Sequence, residues 1–293
     1  MNPLKHFLLA LQFFTRIPIT GRVAAWVGYS PAMLRASSVY FPLVGSMVGA
    51  WAAGVLLLAL PLLPAGALAS LLAAALCTAA SAWLTGGFHE DGLADTADAL
   101  GGYVSRERAL EIMKDSRIGS YGSLTLIFAL LLKIGLLALL VQQSPALAAL
   151  ALLWAHTVSR LPPLLLMFAL PHVGDLHQSK SKPLADAIAL PQLFAALLWP
   201  ALLTGILLAY VLPQHPLWAL PYGAWILAVL AVLLATGRAR AWFRARIGGF
   251  TGDTLGATQQ VCEIVIYLCW VCWPQLASLG TQTLGTLGLS HGF

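Results

Sequence analysis

Long apolar stretches separated by short polar segments dominate the chain. A helix needs roughly 18 to 20 apolar residues to cross a bilayer, and seven stretches meet that length, at 39–60, 66–85, 123–141, 146–170, 192–211, 217–236 and 261–279. An earlier apolar stretch at 4–19 is interrupted by Arg16 and Pro18, which predicts a helix that lies in the interface or re-enters the membrane. Pro162-Pro163 predicts a kink in the fourth span.

This pattern predicts an all-α integral membrane protein, with about seven transmembrane helices plus an N-terminal interfacial or re-entrant helix. Residues 1–280 are expected to form a single polytopic membrane catalytic domain, and residues 281–293 a poorly ordered C-terminal tail. The composition agrees, because only 9% of the residues are charged and 59% are hydrophobic. Soluble domains carry about 25% charged residues, so a water-soluble fold is excluded.

Charged residues are confined to alternate segments between the spans. Lys and Arg occur before the first span and after the second, fourth and sixth, whereas 61–65, 142–145 and 212–216 contain no Lys, Arg, Asp or Glu. By the positive-inside rule, the N-terminus is predicted to be cytoplasmic and the C-terminus outside. We therefore expect a multi-pass protein of a bacterial inner membrane, in contact with lipid, with its active site on the cytoplasmic face. The net charge of +5 reflects topology, and no nucleic-acid partner is expected.

Four of the eleven acidic residues fall within residues 90–98. Asp91, Asp95 and Asp98 stand at i, i+4 and i+7, a spacing that places them on one stripe of an α-helix. A divalent cation would relieve their repulsion, and Mg²⁺ is commonly held by a few carboxylates together with substrate phosphates. A solvated acidic face is the alternative, but charge beside a membrane span is usually functional. Zinc is disfavoured because only His89 accompanies the acids; this histidine could orient a ligand, act as a base or cap the turn.

Two further polar segments suit phosphate binding. The first, at 115–122, joins an acid and a guanidinium to two glycines before the third span; a guanidinium can bind phosphate bidentately, and glycine lets a ligand approach the backbone. The second, at 248–257, is a Gly-rich turn before the seventh span, where a helix N-terminus offers N–H groups to an anion. Asp253 in this turn is a candidate metal or base group, with helix capping as the alternative. The candidate substrate-binding residues of the two segments are Asp115, Arg117, Gly119, Thr251, Gly252, Asp253 and Thr254.

Three ionisable residues interrupt apolar stretches. Glu263 lies near the start of the seventh span and Arg160 within the fourth, and ionisable residues at such depth are functional by default. Glu263 is a candidate metal or base group, although a purely structural pair with Arg160 would also account for it. Lys133 has no assigned role, because its long side chain can reach either the bundle interior or the membrane surface.

Taken together, these segments resemble the cobalamin synthase family, the adenosylcobinamide-GDP ribazoletransferases of bacterial and archaeal membranes. The most specific part is the string H-x-D-G-L-A-D-x-x-D from His89 to Asp98, in which Ala97 stands where many relatives have a cysteine or another small residue. The 171–191 loop and the tail match poorly. The matching segments are Phe14-Thr15-Arg16-Ile17-Pro18, Tyr40-Phe41-Pro42-Leu43-Val44-Gly45, 85–98, 111–119 and 252–257.

The resemblance implies a reaction. A hydroxyl or phosphate of α-ribazole, or of α-ribazole 5′-phosphate, attacks the β-phosphoryl of adenosylcobinamide-GDP, so that GMP leaves and adenosylcobalamin or its 5′-phosphate forms. Mg²⁺ is the expected cofactor. Other cobalamin-assembly enzymes and a second copy of the chain are partners suggested by analogy. The resemblance implies that the metal ligands are Asp91, Asp95, Asp98 and Asp253, that His89 and Glu263 join the first three as catalytic residues, and that Arg16 and Arg117 contact substrate.

Two other functions fit parts of the pattern. CDP-alcohol phosphotransferases also carry spaced aspartates with glycines on membrane helices, but their pattern has Ala-Arg after the Asp-Gly and spreads the later acids further than Asp95 and Asp98 are spread. A transporter would require polar residues along the middle of several spans. Only Lys133, Arg160 and Glu263 approach that condition, so an enzyme with a one-sided active site is favoured.

Overall fold

The computed structural model describes residues 2–174, 188–211 and 222–286. Helices joined by loops make up this part of the chain, with one isolated β-bridge between His172 and Phe250. Short 3₁₀ turns follow α3 and α4, and a π turn, Leu207–Val211, follows α11. The helices are α1 Pro3–Phe14, α2 Gly21–Val27, α3 Pro31–Ser37, α4 Phe41–Ala59, α5 Ala67–Thr85, α6 Phe88–Leu100, α7 Arg106–Ile112, α8 Ser120–Gln143, α9 Pro145–Val158, α10 Leu161–Ala169, α11 Leu190–Ile206, α12 Tyr222–Arg246 and α13 Gly252–Thr286.

Seven helical segments are long and apolar enough to cross a membrane, which confirms the predicted number of spans. The fourth is the centre of the bundle, since 83% of its apolar window is buried against 22% to 44% in the other six. The seventh begins at Gly252, earlier than predicted, because the polar residues before 261 continue the same helix. The segments are Pro31–Leu62, Ala67–Thr85, Ser120–Gln143, Pro145–Ala169, Leu190–Ala209, Tyr222–Ile247 and Gly252–Leu279.

The predicted kink in the fourth span is a break between two helices. α9 ends at Val158 and α10 begins at Leu161. Pro162 and Pro163 then occupy the first turn of α10, where their missing N–H groups have no helical partner to lose. The break leaves Ser159 and Arg160, both buried, at the junction.

Parts of several predictions lie outside the described residues, including the segment 212–216 and residues 217–221 of the predicted sixth span. Most of the poorly matching loop, 175–187, is in this category, as are residues 287–293 of the predicted tail. Helix α13 itself extends to Thr286, so the first residues of that tail are helical.

Glycines bring α4 and α9 together in the most extensive helix contact of the described chain. A Cβ at Gly49 would lie 2.6 Å from the carbonyl oxygen of Leu152 and 2.8 Å from Cα of Leu153, and a Cβ at Gly45 would overlap the carbonyl oxygen of His156. The helix backbones therefore touch, as small residues allow between membrane helices. This contact holds α9 at the centre of the bundle.

The charged segments gather at one end of the bundle, which we call the polar end (86–119, 171–174 and 248–253). α6 packs along α13, and residues 171–173 pair with Phe250 through two backbone hydrogen bonds of 2.9 Å. The chain after α1 joins the same end, because the Arg16 N–H donates to the Leu84 carbonyl oxygen at 2.7 Å. α1 has only 12 residues, about 18 Å of helix at 1.5 Å per residue, and cannot span a bilayer core of about 30 Å.

The α4–α9 contact predicts a large effect from one methyl group. Gly49→Ala should lower the free energy of unfolding by about 1–3 kcal/mol, because the added Cβ meets backbone that cannot move aside. The thermal unfolding midpoint in detergent measures this. Gly54→Ala is the matched control on the same helix, where a Cβ meets nothing within 4 Å. Equal midpoints for the two variants would contradict the proposed packing.

Candidate active site

Two glycines start α6 directly after a membrane span. Gly86 and Gly87 have φ of +74° and +71°, a left-handed conformation that favours glycine. They end α5 and reverse the chain into α6. The acidic stretch is therefore helical from Phe88 onward, as its spacing predicted.

The backbones of α6 and α13 touch where they cross at the polar end. A Cβ at Gly92 would lie 2.8 Å from the carbonyl oxygen of Asp253, and a Cβ at Gly256 would lie 3.3 Å from Cα of His89. Since Asp91 is adjacent to Gly92, this crossing brings the α6 aspartates to the first turn of α13, where Asp253 lies.

The electrostatics show that these carboxylates share one region. Asp91 is exposed, whereas Asp95, Asp98 and Asp253 are partly buried. Partial burial raises the pKa of Asp95 to about 7, and the negative charges of Asp91, Asp253 and Asp98 raise it further in that order. Four predicted metal ligands are thus near enough to repel each other, although they come from two helices far apart in sequence.

Asp98 also caps a helix, a role that its spacing in the sequence did not indicate. Its two carboxylate oxygens accept hydrogen bonds from the N–H groups of Gly119, at 2.7 Å, and Gly122, at 2.8 Å. A carboxylate at this position caps the N-terminus of α8 and interacts favourably with its dipole. The predicted substrate contact of Gly119 therefore cannot use its N–H, which Asp98 already binds.

The aspartates suit a hard cation that a substrate completes. No three His, Cys, Asp or Glu side chains within the described ranges converge in a geometry that could hold a metal ion. This differs from a closed zinc site, which needs three or four such ligands. Mg²⁺ instead keeps waters and binds through one or two carboxylates plus substrate phosphates. The oxygen donors and their mutual repulsion at Asp95 fit that ion.

The hydroxyls predicted to bind substrate at 251 and 254 cap α13 instead. The Thr251 N–H donates to Thr254 Oγ1 at 2.9 Å, and the Thr254 N–H donates to Thr251 Oγ1 at 3.3 Å. Both residues are buried, at 5% and 0% exposure. Their reciprocal bonds fix the first turn of the helix, which positions Gly252 and Asp253 beside α6.

Asp115 and Arg117 bind each other on the exposed loop before α8. Arg117 Nη2 lies 2.6 Å from Asp115 Oδ2, and these hydrogen bonds lower the pKa of Asp115 to about 2. The same loop is joined to α6 through Gly119, whose N–H binds Asp98. Arg16 is also exposed, and its side chain lies against Gly86.

Glu263, predicted to be a metal or base group, lies apart from the aspartates. It is ten residues beyond Asp253, about 15 Å along α13, and it is fully buried. Its Oε1 forms an ion pair of 2.6 Å with Lys133 and accepts from the Tyr267 hydroxyl at 3.0 Å, while Oε2 accepts from Gln259 Nε2 at 2.8 Å. The basic residues at Glu263 in the described chain are Lys133 and His156, whose Nε2 lies 3.3 Å from Oε1, and Arg160 is not among them. Lys133, a charged residue within the third apolar stretch, is the sequence feature that could have indicated this ion pair.

His89 lies on the face of α6 that packs against α13. Only 5% of it is exposed, and its ring stacks on Phe14 with 6.2 Å between centroids. Burial, followed by the charge of Arg160, lowers its pKa well below the usual value, so the imidazole is neutral. Its position separates it from the stripe of aspartates and directs it into a small cavity behind them.

Comparison with known proteins assigns the family. The model described as cobalamin-5-phosphate synthase matches residues 6–271. The chain belongs to this family. Proteins named adenosylcobinamide-GDP ribazoletransferase are 51% identical in Polaromonas naphthalenivorans, over 90% of this chain and 96% of that protein, and 48% identical in Leptothrix cholodnii, over 90% and 94%. No solved structure matches the chain.

Membership in the cobalamin-5-phosphate synthase family confirms the resemblance and favours it over a CDP-alcohol phosphotransferase or a transporter. The matched range includes all four aspartates, both arginines near the site and Glu263. The family assignment does not itself allocate roles among these residues, so their roles rest on the geometry.

The α6–α13 crossing should be sensitive to one added methyl group. Gly92→Ala should lower kcat at least about tenfold, because a shift of about 1 Å in catalytic groups can cost about 100-fold and the Cβ would press on the Asp253 backbone. Turnover of the purified protein measures it. Gly135→Ala, where a Cβ meets nothing within 4 Å, should be fully active; full activity of Gly92→Ala would show that the crossing does not control the site.

The buried ion pair predicts a specific order of stabilities. Lys133→Met should cost about 3–5 kcal/mol, because it leaves the Glu263 charge buried with one partner fewer. Lys133→Met combined with Glu263→Gln should recover part of that loss, since no unpaired charge remains. Chemical denaturation in detergent gives the order, and a double variant less stable than Lys133→Met alone would refute the pairing.

Proposed function

We propose that the chain transfers the cobinamide phosphoryl group of adenosylcobinamide-GDP to α-ribazole or its 5′-phosphate at the α6–α13 crossing. The family and its relatives' names support the reaction, and the cluster of four carboxylates supports the place. In this reaction a hydroxyl oxygen of the acceptor forms a bond to the β-phosphorus, and the bond from that phosphorus to the GMP oxygen breaks. Adenosylcobalamin or its 5′-phosphate and GMP are the products.

The aspartates proposed to hold Mg²⁺, directly or through its bound waters, are Asp91, Asp95, Asp98 and Asp253. A diphosphate brings additional negative charge to a region where carboxylates already repel each other, so both need a common counter-charge. Mg²⁺ bound there would neutralise charge on the phosphoryl oxygens. The protein's own part is to orient the diphosphate and to hold the carboxylates in place, through the Gly92 crossing and the Asp98 cap.

Basic groups at the rim are proposed to contact phosphate. Arg117 is exposed on the loop that Asp98 anchors, and Arg16 is exposed beside Gly86 at the start of α6. Both can reach toward a ligand bound over the aspartates, and a guanidinium matches two phosphate oxygens. A carboxylate of the cluster is the proposed proton acceptor, because His89 is turned toward the other face of α6.

We propose a cytoplasmic location for this site in a bacterial inner membrane. The basic segments lie at the polar end of the bundle, together with the aspartates, and basic loops remain in the cytoplasm during insertion. Nucleotide and ribazole substrates are polar and would enter from that side. Association with other cobalamin-assembly enzymes or with a second copy is compatible with the exposed apolar spans.

Asp95→Asn should abolish turnover and leave folding and membrane insertion intact. The change removes one negative charge from the cluster, so Mg²⁺ should no longer raise the thermal unfolding midpoint as it does for the parent protein. Glu111→Gln, which removes an exposed charge paired with Arg108, should keep both activity and the Mg²⁺ response. Normal turnover by Asp95→Asn would refute the metal assignment. An assay with a CDP-alcohol substrate pair tests the reaction itself.

A further inference from the structure

The small cavity that His89 enters lies behind the aspartates, on the His89 face of α6. Its water-accessible space is about 40 Å³, and its walls come from α1, α4, α6, α10, the first turn of α13 and the 171–174 segment. Phe14, Phe41, Phe88 and Phe250 form much of the wall, and Arg160 and His89 supply polar groups. No Asp or Glu lines it.

Arg160 in this cavity is a buried cation without a carboxylate partner. It is 3% exposed, and its Nη1 donates to the carbonyl oxygen of His156 at 2.6 Å. Its Nε has no hydrogen-bond partner. Glu90 and Glu263 line a neighbouring cavity together with Arg160, but neither forms an ion pair with it in the described chain. A buried charge of this kind is costly unless an opposite charge joins it.

The rest of the cavity also favours an anion. Both ring nitrogens of His172 are buried and lack hydrogen-bond partners, and the ring lies 5.3 Å from that of Phe250. The first turns of α6 and α13 contribute Phe88, His89 and Gly252 to the wall, so the positive ends of two helix dipoles are near. The Nε of Arg160 and the ring nitrogens of His172 therefore remain without partners beside this cavity.

We propose that this cavity is the subsite for the 5′-phosphate of the acceptor, with Arg160 as its main ligand. The proposal rests on the proposed function. The donor's diphosphate needs the carboxylates and their cation, which lie on a different face of α6, whereas a cavity of this size admits one phosphate group.

The competing explanation is structural. Arg160 donates to the last turn of α9, where the break in the fourth span leaves carbonyl groups without helical partners. If that were its whole role, removing the guanidinium would lower stability and affect both forms of the acceptor equally. A change in selectivity between α-ribazole and α-ribazole 5′-phosphate therefore distinguishes the two explanations.

The kinetic test uses Arg160→Gln with both acceptors. The KM for α-ribazole 5′-phosphate should rise roughly 10- to 100-fold, the value of a hydrogen bond to a charged group, while the KM for α-ribazole should not change. The KM of Arg160→Lys for α-ribazole 5′-phosphate should lie between those of the parent protein and Arg160→Gln. Arg160→Lys replaces Arg160→Gln in the test if the latter does not fold. Ser159→Ala is the matched control, because this neighbour is buried and binds Gln259. Equal effects on both acceptors, or a rise only in the KM for the donor, would overturn the proposal.

A binding test separates this proposal from the proposed function. Inorganic phosphate, without donor or Mg²⁺, should raise the thermal unfolding midpoint of the parent protein and of Ser159→Ala but not that of Arg160→Gln. If phosphate stabilises the proteins in this way but neither acceptor is turned over, the proposed reaction is refuted and the anion subsite is supported. Equal stabilisation of all three proteins by phosphate, with normal turnover, would refute the subsite alone.

Discussion

The contact between the backbones of α6 and α13 determines the rest of the site. Gly92 and Gly256 leave no space between the helices, so the aspartates of one helix and Asp253 of the other cannot move apart. The protein therefore holds like charges together at a partly desolvated surface, which is unfavourable in the absence of a cation. Two caps, at Asp98 and at Thr251, fix the helix ends next to these mutually repelling carboxylates.

The sequence could predict features that depend on one segment at a time. The seven spans follow from the length of each apolar stretch, and the stripe of aspartates follows from helical spacing. It could not predict which polar groups would bind each other. Asp98 caps a helix 21 residues later in the chain, and Glu263 binds Lys133 of a distant span. The hydroxyls at 251 and 254 were predicted to bind substrate, and the packed structure shows that they cap α13.

Charge is accommodated in two different ways along the same helix. At the start of α13, Asp253 meets other acids and remains partly open. Further along α13, Glu263 is fully buried and saturated by a lysine, a tyrosine and a glutamine. The first arrangement leaves capacity for a ligand and the second leaves none. Arg160, which lines the cavity beside the first turns of α13, has one N–H group, Nε, without a partner.

The distribution of short helices has a consequence for the surrounding lipid. α1, α6 and α7 do not cross the bilayer and join the bundle at its polar end, whereas the described connections at the other end, 60–66 and around Ser144, are brief. The described chain therefore has more helices at its polar end, and in a bilayer it would displace more lipid from the leaflet at that end. Because more lipid is displaced from the leaflet at the polar end, the spontaneous curvature of the membrane contributes to the free energy of the folded state.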